Sequence, residues 1–294
     1  MEKISEFSLE NGIKCVKIEG IPRLNIFKTF DCGQSFRFDP VSLFGNKYEF
    51  GGVAFDRYVV FAQNNESEII IYGSDKDEYE KIWKSYLALD VDYDKIDEEI
   101  KAQVSSPDMH SAILHSQGIR ILRQDMWESV CSFIISQNNN IPRIKKIISA
   151  LCKKYGKKLY FGKEEHYSFP SAKALMEAGT DAIFELKTGF RARYIYDASC
   201  KVATGEIDLL SVYNEPDFDK ALSTLTTVKG IGAKVGSCAL LFGFNKTEAF
   251  PIDVWIKRAL EKYFPDGIDL KRLGKSAGIA QQYLFYYEKY IQNP

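Results

Sequence analysis

The chain has no Cys-x-x-Cys pair: its six cysteines, at 15, 32, 131, 152, 200 and 238, are scattered. That spacing excludes a zinc site and an iron–sulfur ligand run, so the thiols read as reduced and mostly core, with Cys238 set apart by its surroundings. No apolar stretch approaches the ~20 residues a bilayer span needs. The opening MEKISEFSLENGIK lacks both the apolar segment of a secretion signal and the Arg/Ser bias of a transit peptide, so an intracellular protein is expected. Internal repeats, low-complexity tracts and long linkers are missing too. The net charge of −1 offers no global attraction to a polyanion.

What is present is unevenly laid out. With 294 residues, 45% hydrophobic and 27% charged, the chain has an ordinary globular balance and length enough for two domains. Residues 1–118 carry 13 Lys and Arg against 21 Asp and Glu, whereas 140–201 carry 13 against 6. Only the second segment could meet nucleic acid electrostatically, and a solvated lysine-rich face explains it at least as well. Residues 1–73 read mainly as strands and turns. FSLENGIKCVKIEG has an Asn-Gly hairpin signal, and NKYEFGGVAFDRYVVFAQNNESEIIIYG alternates aromatic and β-branched residues. The charged stretch after Gly73 has helical periodicity. Helices are then expected at 108–117, 125–137, 142–155, 171–177, 180–186, 191–203, 217–227, 234–243, 253–263, 269–273 and 276–291. The class is α+β by segregation: an antiparallel sheet domain with flanking helices over 1–118, then a helical domain over 119–294.

One stretch, VKGIGAKVGSCALLFGF, joins two of these helices in a hairpin. Gly230 and Gly232 permit positive φ and remove side chains that would hold a ligand off the backbone. The amides of the next helix then face outward, where the dipole favours an anion such as a phosphate. A plain tight connection would use the same glycines; a dinucleotide-binding loop would not, because a helix rather than a strand precedes them. Lys234 and Cys238 are four apart and share a face of an otherwise apolar helix. Desolvation there is expected to favour the neutral, nucleophilic amine, unless the side chain snorkels to water. Asp253 stands at a helix N-cap, and capping alone would account for it. The helix 234–243 rises about 15 Å and residues 244–252 can extend about 30 Å, so Asp253 can return to Lys234.

Together, GIGAK and the PIDV that comes about nineteen residues later resemble the helix-hairpin-helix, Gly-Pro-Asp superfamily of DNA base-excision glycosylases. CGQSFRF at 32–38, SQNNNIPRI at 136–144, TGFRARY at 188–194 and AGIAQQYLF at 277–285 resemble its 8-oxoguanine DNA glycosylase branch. The resemblance implies a TBP-like N-terminal antiparallel sheet and a two-part helical domain. It also implies a bifunctional glycosylase/AP lyase that acts on double-stranded DNA as a monomer, without cofactor or metal, in the nucleoid if the source is prokaryotic. By that resemblance Lys234 attacks C1′ and forms a Schiff base, while Asp253 stabilises the developing sugar cation. The amides around Gly230, Gly232 and Val235, with Trp255, hold DNA phosphate. Asn138 fills the hole left by the extruded base, Arg143 and Arg191 address the orphaned cytosine, and Phe190 is a wedge.

The base pocket has its own chemistry. Gln281 and Phe285 are four apart; the amide can read the Watson–Crick edge of a flipped guanine, and the ring can cover one face. Cys238 covers the other by resemblance. A packed aromatic stripe explains Phe285 as well. 8-Oxoguanine carries N7–H where guanine has a lone pair, so a carbonyl at Gly33 would accept from the lesion and repel the normal base; a strand-end turn is the simpler reading of that glycine. Two positions depart from the eukaryotic pattern: Phe190 replaces tyrosine, and Trp255 replaces histidine and cannot carry its charge. Another lesion, such as an alkylated purine, or non-catalytic DNA binding remain the alternatives.

Overall fold

The computed structural model describes residues 2–292. Six antiparallel strands form one sheet in the order β1-β2-β6-β5-β4-β3: β1 Lys3–Ser8, β2 Lys14–Glu19, β3 Phe38–Pro40, β4 Tyr48–Ala54, β5 Arg57–Gln63 and β6 Glu68–Tyr72. The hairpin signal at Asn11-Gly12 falls between β1 and β2, where Gly12 has φ +82. Alternation sorts the central strands into two faces. Val16, Ile18, Phe50, Val59 and Phe61 pack with Phe30, Trp83 and Tyr86, while Cys15, Val60, Ala62, Ile70 and Tyr72 pack with Phe161 on the other face.

The fold departs from the sequence expectations in three places. A helix, Ile26–Asp31, interrupts the strand region, with Asn25 accepting from the Lys28 amide as its cap. Gly33, with φ +78, therefore lies just past a helix end and not a strand end. Within the basic segment, β7 Lys158–Phe161 and β8 Glu164–Tyr167 form an unanticipated hairpin. Phe161 anchors it on the sheet, whereas Lys158 bonds outward to Glu165. A short helix, Leu209–Asn214, is the third.

The remaining helices match their expected positions within a residue or two. Ala172–Ile183 is broken at Gly179 (φ +78), where two helices were expected. The last helix, Ala277–Tyr286, continues as a wider π-turn through Ile291. It is buried along its length apart from the half-buried Phe285, and packs between Pro107–Ser116 and Val254–Tyr263. The C-terminal helix thus returns to the sheet side, where the Gln282 amide donates to the Cys32 carbonyl (3.1 Å). That return builds the site. All six cysteines are free thiols, five of them buried. Among the described residues no helix is long and apolar enough to cross a membrane.

Candidate active site

A cavity of about 170 Å³ lies between the sheet side and the helices, lined by Gly33, Lys234, Cys238, Asp253, Trp255, Gln281, Phe285 and Lys289 among others. All but Lys289 were expected to meet. Each is set by local rules.

The hairpin joins Phe218–Thr226 to Ala233–Gly243. Gly230 has φ +81, and a Cβ there would meet the Tyr194 ring at 2.3 Å, so both conformation and space exclude a side chain. Gly232 corrects the expectation: its φ of −94 is ordinary extended backbone, and a Cβ would meet nothing. Its consequence is a helix start without a side-chain cap, which leaves first-turn amides available to an outside acceptor. Val235, just inside that turn, is buried.

Lys234 is exposed, not desolvated by its apolar neighbours as expected. It does reach the buried Cys238. Burial pushes that thiol up to about 11, opposed by the charge and hydrogen bond of Lys234 and reinforced by Asp253. The three groups therefore share one field. The Asp253 carboxylate accepts from the amides of Trp255 (3.0 Å) and Ile256 (2.9 Å), so it caps its helix and faces the cavity together. Trp255 lines the same wall, and Arg258 lies 5.0 Å over its ring, putting a cation beside the indole.

At the deep end, Gln281 is 5% exposed and its Oε1 is buried with no donor among the described residues. Such an acceptor is costly in an apolar setting and rare in native folds. Phe285 stands opposite Gly33: a Cβ at 33 would sit 3.7 Å from the ring, an ordinary contact. Positive φ, not lack of room, is what requires glycine there.

Residues that sequence reasoning missed hold the Gly33 turn. The Gln34 side chain donates to the carbonyls of Thr29 (2.9 Å) and Arg120 (2.8 Å) and accepts from the Leu122 amide (2.8 Å). Gln124 donates to the Gln34 carbonyl (2.7 Å), as Gln282 does to that of Cys32. Both carbonyls flanking Gly33 are thereby occupied. The consecutive glutamines of AGIAQQYLF were the available signal, with one amide facing the cavity and the next facing the turn.

Asn138, Arg143, Phe190 and Arg191 form a second cluster beside the first. Asn138 is exposed, with φ +46, and Asn140 caps the helix Ile141–Tyr155 by accepting from the Arg143 amide (3.0 Å). Arg143 is exposed, as is Phe190 at 42%. Arg191 departs from expectation: it is 2% exposed, and its guanidinium donates to the carbonyls of Gln137, Asn138 (2.9 Å) and Thr188 (3.2 Å). As it stands it braces the Asn138 turn and is not presented to an opposite base. It also underlies the Phe190 ring at 4.5 Å.

The chain resembles known proteins along nearly its whole length. Residues 18–130 match the family "8-oxoguanine DNA glycosylase, N-terminal domain", and residues 131–269 match "HhH-GPD superfamily base excision DNA repair protein". A solved structure of MBOgg1 with a low-affinity DNA ligand is 35% identical, with a TM-score of 0.89 over 99% of this chain and 100% of that one. The Clostridium acetobutylicum 8-oxoguanine glycosylase/lyase, solved with duplex DNA containing cytosine opposite 8-oxoguanine, is 32% identical with a TM-score of 0.88, covering 99% and 98%. An N-glycosylase/DNA lyase of Saccharomyces cerevisiae is 27% identical over 258 residues, 81% of this chain and 68% of the relative.

Proposed function

The chain belongs to the 8-oxoguanine DNA glycosylase family, so it is a base excision repair enzyme of the N-glycosylase/DNA lyase kind, and we propose how its pocket performs that reaction. The target nucleotide leaves the duplex and its base enters between Cys238 and Phe285. The Gln281 Oε1 accepts from the N–H groups of the Watson–Crick edge. The Gly33 carbonyl accepts from N7–H of 8-oxoguanine, where guanine would present a lone pair. One buried hydrogen bond made or lost is worth about 1–3 kcal/mol, so repulsion at N7 and the cost of flipping must supply the remaining discrimination.

The amine of Lys234 attacks C1′ as the bond from C1′ to N9 breaks; the bonding electrons leave with the base, which takes up the proton that the amine sheds as the new C–N bond forms. Asp253 stabilises the positive charge that develops on the sugar. Ring opening yields a Schiff base, and loss of a C2′ proton then expels the 3′ phosphate. Amides around Gly230, Gly232 and Val235 hold a backbone phosphate of the same strand. Asn138 and Phe190 occupy the opened step, with Arg143 addressing the partner base, which we take to be cytosine. The work site is wherever the cell keeps its DNA, the nucleoid in a prokaryote.

The observation that carries the reading is the buried oxygen of Gln281, with no donor among the described residues, in a cavity lined also by Lys234 and Asp253. The test is borohydride trapping on 8-oxoguanine duplexes with each of the four bases opposite. We expect a covalent adduct with the wild-type chain. Lys234→Gln should abolish it and lower excision more than about a thousandfold while binding persists. Excision of alkylated bases without an adduct, or a trapped species undiminished in Lys234→Gln, would overturn the assignment.

A further inference from the structure

Lysines that are partly or wholly withdrawn from solvent in this molecule find oxygen partners. Lys246, 8% exposed, donates to the carbonyls of Tyr213 (2.9 Å) and Glu215. Lys28 donates to the His115 carbonyl (2.8 Å), and Lys145 to Phe38 (2.7 Å) and Asp39 (2.6 Å). Lys289 does not fit the pattern. It is half-buried and lines the active-site cavity, but its ammonium meets aromatic rings, lying 5.1 Å over Phe285 and 4.7 Å over Tyr290. Among the described residues it makes no hydrogen bond or ion pair, although Asp31 and Asp253 lie within electrostatic reach. A cation so placed has given up water without gaining an oxygen.

Its position says which oxygen it can take. Gln281, Phe285 and Lys289 succeed one another at four-residue intervals along the C-terminal helix, so they form one stripe from the cavity floor to its rim. Eight residues of helix rise about 12 Å, which is longer than a purine. If the Watson–Crick edge of the base sits at Gln281, Lys289 lies beyond the glycosidic bond, level with the sugar and its phosphates. The rim there is anchored, because the Tyr290 hydroxyl donates to the Asp31 carbonyl (2.6 Å). The charge balance agrees. Lys234 and Lys289 line the cavity beside Asp253, an oxygen of which is already taken by two amides, and Asp31, though near Lys289, forms no ion pair with it.

We propose that Lys289 is a substrate-binding residue whose ammonium pairs with a backbone phosphate flanking the extruded nucleotide. This rests on the pocket receiving that nucleotide with its base at Gln281. It adds, from the wall opposite the helix-hairpin-helix amides, a second grip on the strand beside the lesion.

The test compares the wild-type chain with Lys289→Gln and Lys289→Arg on a duplex carrying a tetrahydrofuran abasic analogue, which binds but cannot be processed. Kd is measured over a range of KCl concentrations. Loss of one phosphate contact should make the plot of log affinity against log salt shallower by about 0.9, equivalent to about an eightfold weaker Kd near 0.1 M salt. Lys289→Arg should keep most of both. On 8-oxoguanine duplex, the Gln variant should lose more in KM than in kcat. An unchanged salt slope overturns the proposal in either of two forms: with kcat lowered, the ammonium acts on the departing base; with kcat intact, the stem only packs on Phe285. Excision by the wild-type chain in the same series reports separately on whether the pocket receives the lesion at all.

Discussion

Two turns in this molecule resemble each other in backbone and differ in purpose. Gly33 comes after the helix Ile26–Asp31 with φ +78, and Asn138 after Met126–Ser136 with φ +46. The turn at Gly33 is held by the side-chain amides of Gln34, Gln124 and Gln282. The turn at Asn138 is held by the buried guanidinium of Arg191. In the first, the useful group is a main-chain carbonyl, so a side chain is dispensable and the residue is the one that adopts this conformation without strain. In the second, the useful group is a side chain, so a Cβ is kept in a left-handed conformation that costs a non-glycine residue about 1 kcal/mol. One turn is built to present backbone, the other to present an amide to an opened duplex.

Reciprocal substitutions break the comparison where it matters most. Gly33→Ala should cost about 1–2 kcal/mol of stability through its positive φ. It should also cut the preference for 8-oxoguanine over guanine roughly 10- to 100-fold, because the carbonyl moves off N7. Binding to undamaged duplex should fall much less. Competitive excision assays with urea melts measure both, and equal losses on lesion and normal DNA would remove the N7 carbonyl as the source of discrimination. Asn138→Gly should have the opposite signature. Relief of strain leaves stability unchanged or up to about 1 kcal/mol higher, whereas affinity for the lesion duplex falls about tenfold, in the range of a lost buried hydrogen-bonding group. Its preference among bases in the pocket should be intact. A variant that binds as well as the wild type would make Asn138 a turn residue only.

The same contrast explains what was legible before the fold was known. The helix-hairpin-helix, Lys234 and Asp253 are legible because chemistry and periodicity coincide there: glycines at a turn, an amine at a helix start and a carboxylate at a cap. Helical spacing puts Gln281 and Phe285 on one face, but only the family resemblance singles them out, since a packed aromatic stripe would explain Phe285 as well. The helix Ile26–Asp31 was missed because it lies among aromatic residues that read as strand, and tertiary burial of Ile26, Thr29 and Phe30 decides the matter. The hairpin at β7 and β8 was missed because charged residues dominate it and a single anchor, Phe161, ties it to the sheet. Gln124 and Gln282 act on carbonyls distant in sequence, so the paired glutamines at 281 and 282 hint at a second polar face without naming the carbonyl it serves. Arg191, given a base-contacting role by resemblance, is found buried because only the fold brings the Gln137 and Asn138 carbonyls to its guanidinium.

The smallest expected effect on activity tests how the pocket wall is carried. The helix bearing Gln281 and Phe285 is tied to the helix Tyr93–Gln103 by one buried bond, from the Tyr283 hydroxyl to Asp97 (2.9 Å). Asp97 is 7% exposed, and burial raises its carboxyl to about 6; Tyr283 and Lys101 pull it down, and Asp94 pushes it up. The native state therefore holds this proton more tightly than the unfolded chain does. Stability from this group is fully present below about pH 4 and is lost as pH rises toward 6, with a total of order 3 kcal/mol at most. Asp97→Asn keeps an acceptor for Tyr283 without the titration. Urea melts at pH 4.5 and 7 should show the wild type losing stability over this interval relative to the variant, which should be the more stable of the two at pH 7. Excision at pH 7 should differ by less than about twofold, since the wall stays in place in both. A variant less stable at every pH would mean that the charged carboxylate, despite its burial, is what holds the pocket helix.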